Sequence, residues 1–252
     1  MRFGNNSVFS RAGEYTCVTP ATMGGVAKKT ILMLLTALIS TVLCIKFVEP
    51  LSDFSGGIIV FGYLISPILT FVLSMVMSIN PVAAKTLAIP YALLEGVSIG
   101  SIAGILTSVL GTTGGLIVGL SFVVTLSFFL GAAMLYSTGL VKVGDGLRKF
   151  ALTALFGILI SSLMIGIAGI FNRGIYDFFY GTTDIALLFA VISVLVASIF
   201  SLVSLDNAKR LVDSGLDQNF EWYAAFGIVL NVIWLFWEVL RLVIILFSRS
   251  DN

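Results

Sequence analysis

The run "LAIPYALLEGVSIGSIAGILTSVL", residues 87–110, contains one charged side chain, that of Glu95, in an otherwise uncharged segment. About 20 apolar residues are enough to cross a bilayer as an α-helix. An ionised carboxylate at mid-membrane costs about 2.5–3.5 kcal/mol on insertion scales, so such a group faces the bundle interior or water. The run therefore predicts a membrane helix with a functional or paired acidic residue inside it.

The whole chain is rich in apolar residues and poor in charged ones. Of its 252 residues, 58% are hydrophobic and 11% are charged, and the mean hydropathy is +1.10. A soluble domain has roughly 25% charged residues. The alternating strands of a membrane β-barrel are absent from the sequence. We therefore predict an all-α integral membrane protein, in contact with the lipid bilayer through seven transmembrane helices.

Seven apolar runs are long enough to span a bilayer. They form one predicted domain, residues 28–248, with spans at 30–49, 56–79, 87–110, 116–140, 149–171, 185–205 and 223–247. Residues 1–27 are polar and are expected to form a mobile cytoplasmic tail. Residues 249–252 form a second, short tail.

Lysine and arginine predict the orientation, because they are concentrated in cytoplasmic loops. With the N-terminus inside, the outer segments contain only Lys46, Arg173 and Arg249, and Arg241 lies in the last run. The inner segments contain the rest of the fourteen: Arg2, Arg11, Lys28, Lys29, Lys85, Lys142, Arg148, Lys149, Lys209 and Arg210. The predicted location is a bacterial plasma membrane with the N-terminus in the cytoplasm.

The composition disfavours an enzyme. The chain has no histidine, which is the commonest general base and metal ligand. Its lysines lie in loops or at span ends, so serine–lysine chemistry inside a span is not expected. We expect no cofactor other than a candidate calcium ion, and no nucleic-acid partner.

Two further ionisable groups, Glu238 and Arg241, lie in the last run. Residues three apart share a helix face, so they form a candidate ion pair, and Arg241 is also near enough to the outer end to snorkel. Asn231, seven residues before Glu238, lies on the same face and predicts a polar stripe toward the interior. Two structural alternatives stay open for each glutamate: it is held protonated, or it pairs with a neighbour and stabilises the fold.

Small residues predict where helices pack closely, since lipid removes the hydrophobic drive for association. Gly96, Gly100 and Gly104 recur every fourth residue in the third run. Further packing faces are predicted at Gly115, Gly119, Gly157, Gly166 and Gly169. Pro67, in the middle of the second run, predicts a kink that serves as a packing bend or as a gating hinge.

The third run's "YALLEG" (91–96) and the last run's "EWYAAFGIVLNVIWLFWEVLRL" (221–242) resemble the Bax inhibitor-1 family, in its bacterial YccA-like branch. The resemblance covers residues 24–247. It implies six helices around a central seventh. Family members are described as pH-sensitive calcium leak channels, and some bacterial members bind a membrane-anchored AAA protease.

The calcium-leak members close with a pair of aspartates that share a proton. Matched through "WLFWEVLRL", the seventh-helix aspartate position falls on Asn231, and the sixth-helix position falls on Ser204 or Leu205, beside Asp206. One carboxylate cannot form such a coupled pair, so this switch is not intact. Glu95 and Glu238 match glutamates typical of the YccA-like branch.

The residues favour a cation leak channel, for calcium or linked to protons, with Glu95, Asp206, Asn231 and Glu238 lining its path. The alternative is a non-conducting regulator that binds a membrane-anchored protease or another membrane protein, with the 1–27 tail as its contact arm. A secondary transporter is weaker, because no matching broken helices recur in two halves.

Overall fold

The structure is a computed structural model that describes residues 19–48, 57 and 60–250. Within these ranges a π-helical segment, Phe61–Ile65, precedes the second α-helix, and a short 3-10 turn, Pro81–Ala83, precedes the third. The α-helices are α1 (Met23–Val48), α2 (Ser66–Ile79), α3 (Ala84–Leu110), α4 (Thr112–Ser137), α5 (Asp145–Phe171), α6 (Arg173–Tyr180), α7 (Asp184–Asp213) and α8 (Phe220–Ser250).

Among the described residues, seven helical segments are long and apolar enough to cross a membrane. They are Met23–Lys46, Phe61–Ile79, Pro81–Leu110, Thr112–Ser137, Asp145–Phe171, Asp184–Asp213 and Phe220–Arg249. Large apolar side chains remain exposed along them, such as Ile170 and Phe171. The predicted class, an all-α multi-pass membrane protein, is confirmed.

Several helix ends differ from the predicted span ends. Helix α1 begins at Met23 rather than at residue 30, and α7 continues to Asp213 rather than ending at 205. The added turns contain glycines or charged residues, as in Gly24 and Gly25 of α1. They are helical, but their composition is not apolar enough to extend a hydrophobic run.

The end of the predicted N-terminal tail is held in place. The Ala21 amide donates to the Leu216 carbonyl at 2.8 Å, and the Gln218 amide donates to the Thr19 carbonyl at 3.0 Å. The prediction of a mobile tail over 1–27 is therefore wrong for residues 19–27, and residues 1–18 lie outside the described part. At the other end, α8 runs on to Ser250.

The disruption predicted at Pro67 takes the form of a π-helical segment. The Ser66 amide donates to the Phe61 carbonyl, which is five residues earlier, and α2 then starts with Pro67 in its first turn. Proline has no amide hydrogen to continue an α-helical ladder, and a π-turn accommodates that loss. The Ser66 hydroxyl donates to the Leu94 carbonyl at 2.7 Å, and this hydrogen bond links the end of the π-helical segment to α3. A gating role for Pro67 stays a prediction.

The linker expected between the fifth and sixth spans contains a helix. Helix α6 comprises Arg173–Tyr180 and is capped at its N-terminus by Asn172, whose side chain accepts a hydrogen bond from the Gly174 amide. Tyr176 and Tyr180 stack on one face, with ring centroids 5.2 Å apart. The sequence interpretation missed this helix because eight residues are too few to form an apolar run.

The chain divides into two compact units: Met1–Ile102 with Asn207–Val229, and Ala103–Asp206 with Leu230–Asn252. In the first unit, α1 and α3 pack closely at glycines. A methyl group on Gly96 would collide with the Ala37 carbonyl oxygen, and one on Gly100 would lie 2.6 Å from the Cys44 Cβ. Gly104, one turn further along α3, is buried in the second unit.

The glycines of α4 and α5 differ from this pattern. Added methyl groups at Gly119, Gly157 and Gly166 would meet nothing within 4 Å. The prediction that these three form packing faces within the chain is therefore wrong. Gly115 would make an ordinary contact with Thr107, and Gly169 is crowded only by Tyr176 of the adjoining helix.

The last helix, α8, is the most buried of the seven spanning segments. The buried share of its apolar window is 61%, compared with 11% for α5 and at most 44% for the others. Its buried side chains include Phe226, Leu235 and Val239. The predicted arrangement of six helices around this last helix remains a prediction.

Candidate functional site

Glu95 lies in the first unit among hydroxyl groups. It is 8% exposed and lies beside the side chains of Thr70 on α2 and Tyr91 one turn earlier on α3. The Thr70 hydroxyl donates to the Pro67 carbonyl at 3.1 Å, and the Tyr91 hydroxyl has no hydrogen-bond partner within the described ranges. Tyr91 is itself buried, and its ring packs edge-on against Phe226, with centroids 5.3 Å apart. Among the residues that the structure describes, no lysine or arginine pairs with Glu95.

Asn231 and Glu238 belong to the second unit and lie two turns apart on α8. The Asn231 amide nitrogen donates to the Ser201 hydroxyl of α7 at 2.7 Å. The amide oxygen is buried and has no hydrogen-bond partner within the described ranges. A buried carbonyl oxygen without a partner is costly, which makes it an available ligand for water or a cation.

Glu238 is partnered by side chains of its own helix. The Trp234 indole nitrogen donates to one carboxylate oxygen at 3.2 Å, and the Arg241 guanidinium lies 2.6 Å from the other. Arg241 also lies over the rings of Tyr180 and Phe189, 4.9 and 5.1 Å from their centroids. Arg241 is therefore held by Glu238 and the two rings, and whether its guanidinium reaches the outer membrane surface stays a prediction.

Asp206 is engaged by the ends of two other helices. Arg148, in the first turn of α5, lies 2.5 Å from one carboxylate oxygen, and the Tyr136 hydroxyl donates to the other at 3.2 Å. The Asp206 side chain is 14% exposed. The sequence interpretation identified Asp206 but not these partners, which are distant in the chain.

A buried acidic residue that sequence reasoning missed lies at the start of α8. Glu221 is 2% exposed and pairs with Lys29 of α1. The Thr22 amide and hydroxyl donate to the same carboxylate, at 2.8 and 3.1 Å. The acidic first turn of a helix was the available signal. Nothing in the sequence pattern identified Lys29 as the partner.

The carboxylates do not form a metal cluster of the usual kind. In the part of the chain with described coordinates, no three histidine, cysteine, aspartate or glutamate side chains come together. A cation moving along α8 would meet Glu238 and the Asn231 oxygen at two separate levels, because the two residues lie two turns apart. Glu95 has the Thr70 and Tyr91 hydroxyls beside it in the first unit.

Comparison with known proteins places the chain in a family. The family model described as Bax inhibitor 1 like matches residues 3–248, nearly the whole chain. A search of curated protein sequences gave no significant match. The match covers all seven spanning helices and the last-helix block that carried the resemblance. The chain belongs to the Bax inhibitor 1 like family.

Proposed function

We propose that this protein is a cation leak channel, for calcium or linked to protons, in a bacterial plasma membrane with its N-terminus in the cytoplasm. The observation that carries the proposal is Asn231. Its amide oxygen is buried on α8, the most buried of the spanning helices, and finds no hydrogen-bond partner in the part of the chain that the structure describes. Polar groups at such positions mark ion paths by default, because an unsatisfied group in the membrane is expensive.

The neighbouring polar groups extend this position along α7 and α8. Ser201 bonds to Asn231, and Ala190 shares an apolar cluster with Ile245, so the two helices run antiparallel. Ser193, eight residues before Ser201, is then about level with Glu238, at 1.5 Å per residue. The Ser193 hydroxyl is also buried without a described partner. Two polar levels, roughly 10 Å apart, would form the second unit's part of the path.

The other two candidate residues have different roles in this proposal. Asp206 braces α4, α5 and α7 through Tyr136 and Arg148, rather than offering a free carboxylate to an ion. Glu95 is a buried acidic group of the first unit, and the side chains described beside it are the hydroxyl-bearing Thr70 and Tyr91. We propose that it interacts with the permeant cation or proton.

Asn231→Leu tests the proposal. Leucine has a similar volume but no oxygen, so we expect uptake of radiolabelled calcium, or of protons reported by a trapped dye, to fall about tenfold in protein-only vesicles. The lost bond to Ser201 costs only about 1 kcal/mol of stability. The control is Ser198→Ala, because that hydroxyl donates only to the Val194 carbonyl of its own helix. Equal fluxes through both variants would contradict the path.

A non-conducting regulator is the second candidate. The pairs Lys29–Glu221 and Arg148–Asp206 favour it, since these partly buried charges hold helices together rather than lying free along a path. The regulator would bind a membrane-anchored AAA protease or another membrane protein. It predicts no flux above empty vesicles, and a partner that crosslinks to the full chain but not to a chain without residues 1–18.

A further inference from the structure

An apolar groove lies on the surface of the second unit, between α4 and α7. It runs from Val124 to Leu135 on α4 and from Leu195 to Leu202 on α7, and it has a volume of about 580 Å³. That volume lies within the usual range of ligand pockets, about 300–1,000 Å³. Its lining residues Phe128, Leu135 and Leu195 are exposed. The groove is therefore open to a molecule in the surrounding lipid.

The two hydroxyl groups in the groove lining already have partners within their own helices. The Ser127 hydroxyl donates to the Val123 carbonyl at 2.8 Å, and the Ser198 hydroxyl donates to the Val194 carbonyl at 2.7 Å. The other lining residues are apolar side chains and one glycine. A polar ligand would lose its hydrogen bonds to water in such a place, whereas a hydrocarbon chain would lose none. The lining therefore fits a hydrocarbon chain.

The groove has the length of one lipid leaflet. Val124 lies near the middle of α4, and Leu135 lies two residues before the last residue of that helix, Ser137. The rise from Val124 to Leu135 is about 16 Å, which is about half of a hydrocarbon core roughly 30 Å thick. An acyl chain that starts from a headgroup at the C-terminal end of α4 and reaches the middle of the membrane would therefore fill the groove.

Two exposed lysines lie just beyond the C-terminal end of α4. The groove residue Ala132 belongs to one apolar cluster with Val143 and Ala151. This cluster holds the loop after α4, and the start of α5, at that end of the groove. Lys142 directly precedes Val143, and Lys149 lies two residues before Ala151; both lysines are exposed.

The charged groups at this end of the groove leave an excess of positive charge. Arg148 is paired with Asp206, so these two side chains neutralise each other. Asp145, in the first turn of α5, is exposed and opposes one of the two lysines. Lys142 and Lys149 therefore outweigh the acidic side chain beside them. Basic sites at the ends of membrane helices attract anionic lipid headgroups.

We propose that the groove between α4 and α7 binds an acyl chain of an anionic phospholipid whose headgroup lies against Lys142 and Lys149. The apolar lining accepts the chain, and the lysines select the headgroup. At the attraction that is usual for basic residues at a membrane surface, we expect anionic lipid to bind about tenfold more tightly than zwitterionic lipid with the same chains. The orientation proposed above would place this site in the cytoplasmic leaflet.

A tryptophan in the groove, introduced as Phe128→Trp, tests the site directly. Brominated acyl chains quench tryptophan fluorescence on contact, and the signal of the native tryptophans is subtracted with protein that lacks the substitution. Brominated phosphatidylglycerol and brominated phosphatidylcholine are each titrated into phosphatidylcholine vesicles. The relative affinity from half-maximal quenching should favour phosphatidylglycerol about tenfold. Adding Lys142→Gln and Lys149→Gln should abolish this preference.

Leu130→Trp is the matched control, because Leu130 lies on the same helix, is exposed, and does not line the groove. There the two brominated lipids should quench almost equally. Equal quenching by the two lipids in Phe128→Trp, or the same preference in Leu130→Trp, would overturn the site. A preference that survives the loss of Lys142 and Lys149 would overturn the assignment of the headgroup.

Thermal unfolding in detergent tests the same site if Phe128→Trp does not fold. Phosphatidylglycerol should raise the melting temperature of wild type more than phosphatidylcholine does, because a ligand of the folded state stabilises it. Gly131 lines the groove with open space beside it, so Gly131→Leu should fill the groove and remove this difference. Gly119→Leu, also in open space but outside the lining, should keep it. An unchanged response in Gly131→Leu would contradict the site. These measurements involve no ion flux, so their failure would leave the leak function standing.

Discussion

Lys29→Met is expected to destabilise the protein strongly. Its partner Glu221 is 2% exposed, so loss of the ammonium leaves a buried carboxylate that has only the Thr22 donors. Removing one member of a buried pair costs about 3 kcal/mol or more. At about 2–4 °C per kcal/mol for a chain of this size, we expect the melting temperature in detergent to fall by about 6–12 °C.

The adjacent Lys28 provides a matched control, because it is exposed on the same turn of α1. Lys28→Met should shift the melting temperature by no more than about 2 °C, as surface substitutions usually do. A double variant, Lys29→Met with Glu221→Gln, removes both charges and should recover part of the loss. Equal shifts for Lys28→Met and Lys29→Met would contradict the buried pair.

Gly96→Ala is expected to force α1 and α3 apart. The new methyl group would collide with the Ala37 carbonyl oxygen and lie 2.6 Å from the Ser40 Cβ. A backbone atom cannot move aside as a flexible side chain does. Overpacking costs about 1–3 kcal/mol, so the expected fall in melting temperature is about 2–12 °C. Gly96→Leu is expected to prevent folding.

Gly157→Ala on α5 makes the same chemical change in open space, since nothing lies within 4 Å of the added methyl group. Alanine is also the better helix former, so the melting temperature should stay level or rise slightly. Both variants are compared by thermal unfolding in the same detergent. A loss at Gly157 as large as that at Gly96 would show that the α1–α3 approach has no special role.

The sequence was sufficient to predict the spans, because their apolar length follows from bilayer thickness. It was insufficient at their ends: the first turns of α1 contain Gly24, Gly25 and Lys28, so no apolar pattern shows that they are helical. Helix α6 was missed for a related reason. Its eight residues are stabilised by the Asn172 cap and by aromatic contacts, not by a long apolar run.

The same distinction applies to the candidate site. The closeness of Glu238 and Arg241 could be predicted, since both lie on one helix face. Arg148 and Asp206 are 58 residues apart, and Lys29 and Glu221 are 192 apart. Such pairs arise only when helices pack, and a single sequence contains no spacing rule for them. The contact of Arg241 with the Tyr180 ring was equally hidden, because Tyr180 lies on α6.

This chain lacks the aspartate pair that the family resemblance implies, so the proposed leak would depend on different side chains. A neutral amide stands at Asn231, bonded to Ser201, and the carboxylate of Asp206 is bound by Arg148. The proposal therefore places cation binding on single carboxylates with neutral oxygens around them. Such sites bind a cation more weakly than several carboxylates would. Weak binding favours permeation, because the ion must also be able to leave the site.

The measurement that tests the central claim most directly is radiolabelled calcium uptake into protein-only vesicles, at mildly acidic and mildly alkaline pH. Wild type is compared with Glu95→Gln and with empty vesicles. We expect uptake above empty vesicles for wild type, and a fall of about tenfold when an amide replaces the Glu95 carboxyl group. Wild-type uptake equal to that of empty vesicles at both pH values would contradict calcium conduction. Equal uptake by the two proteins would remove Glu95 from the path.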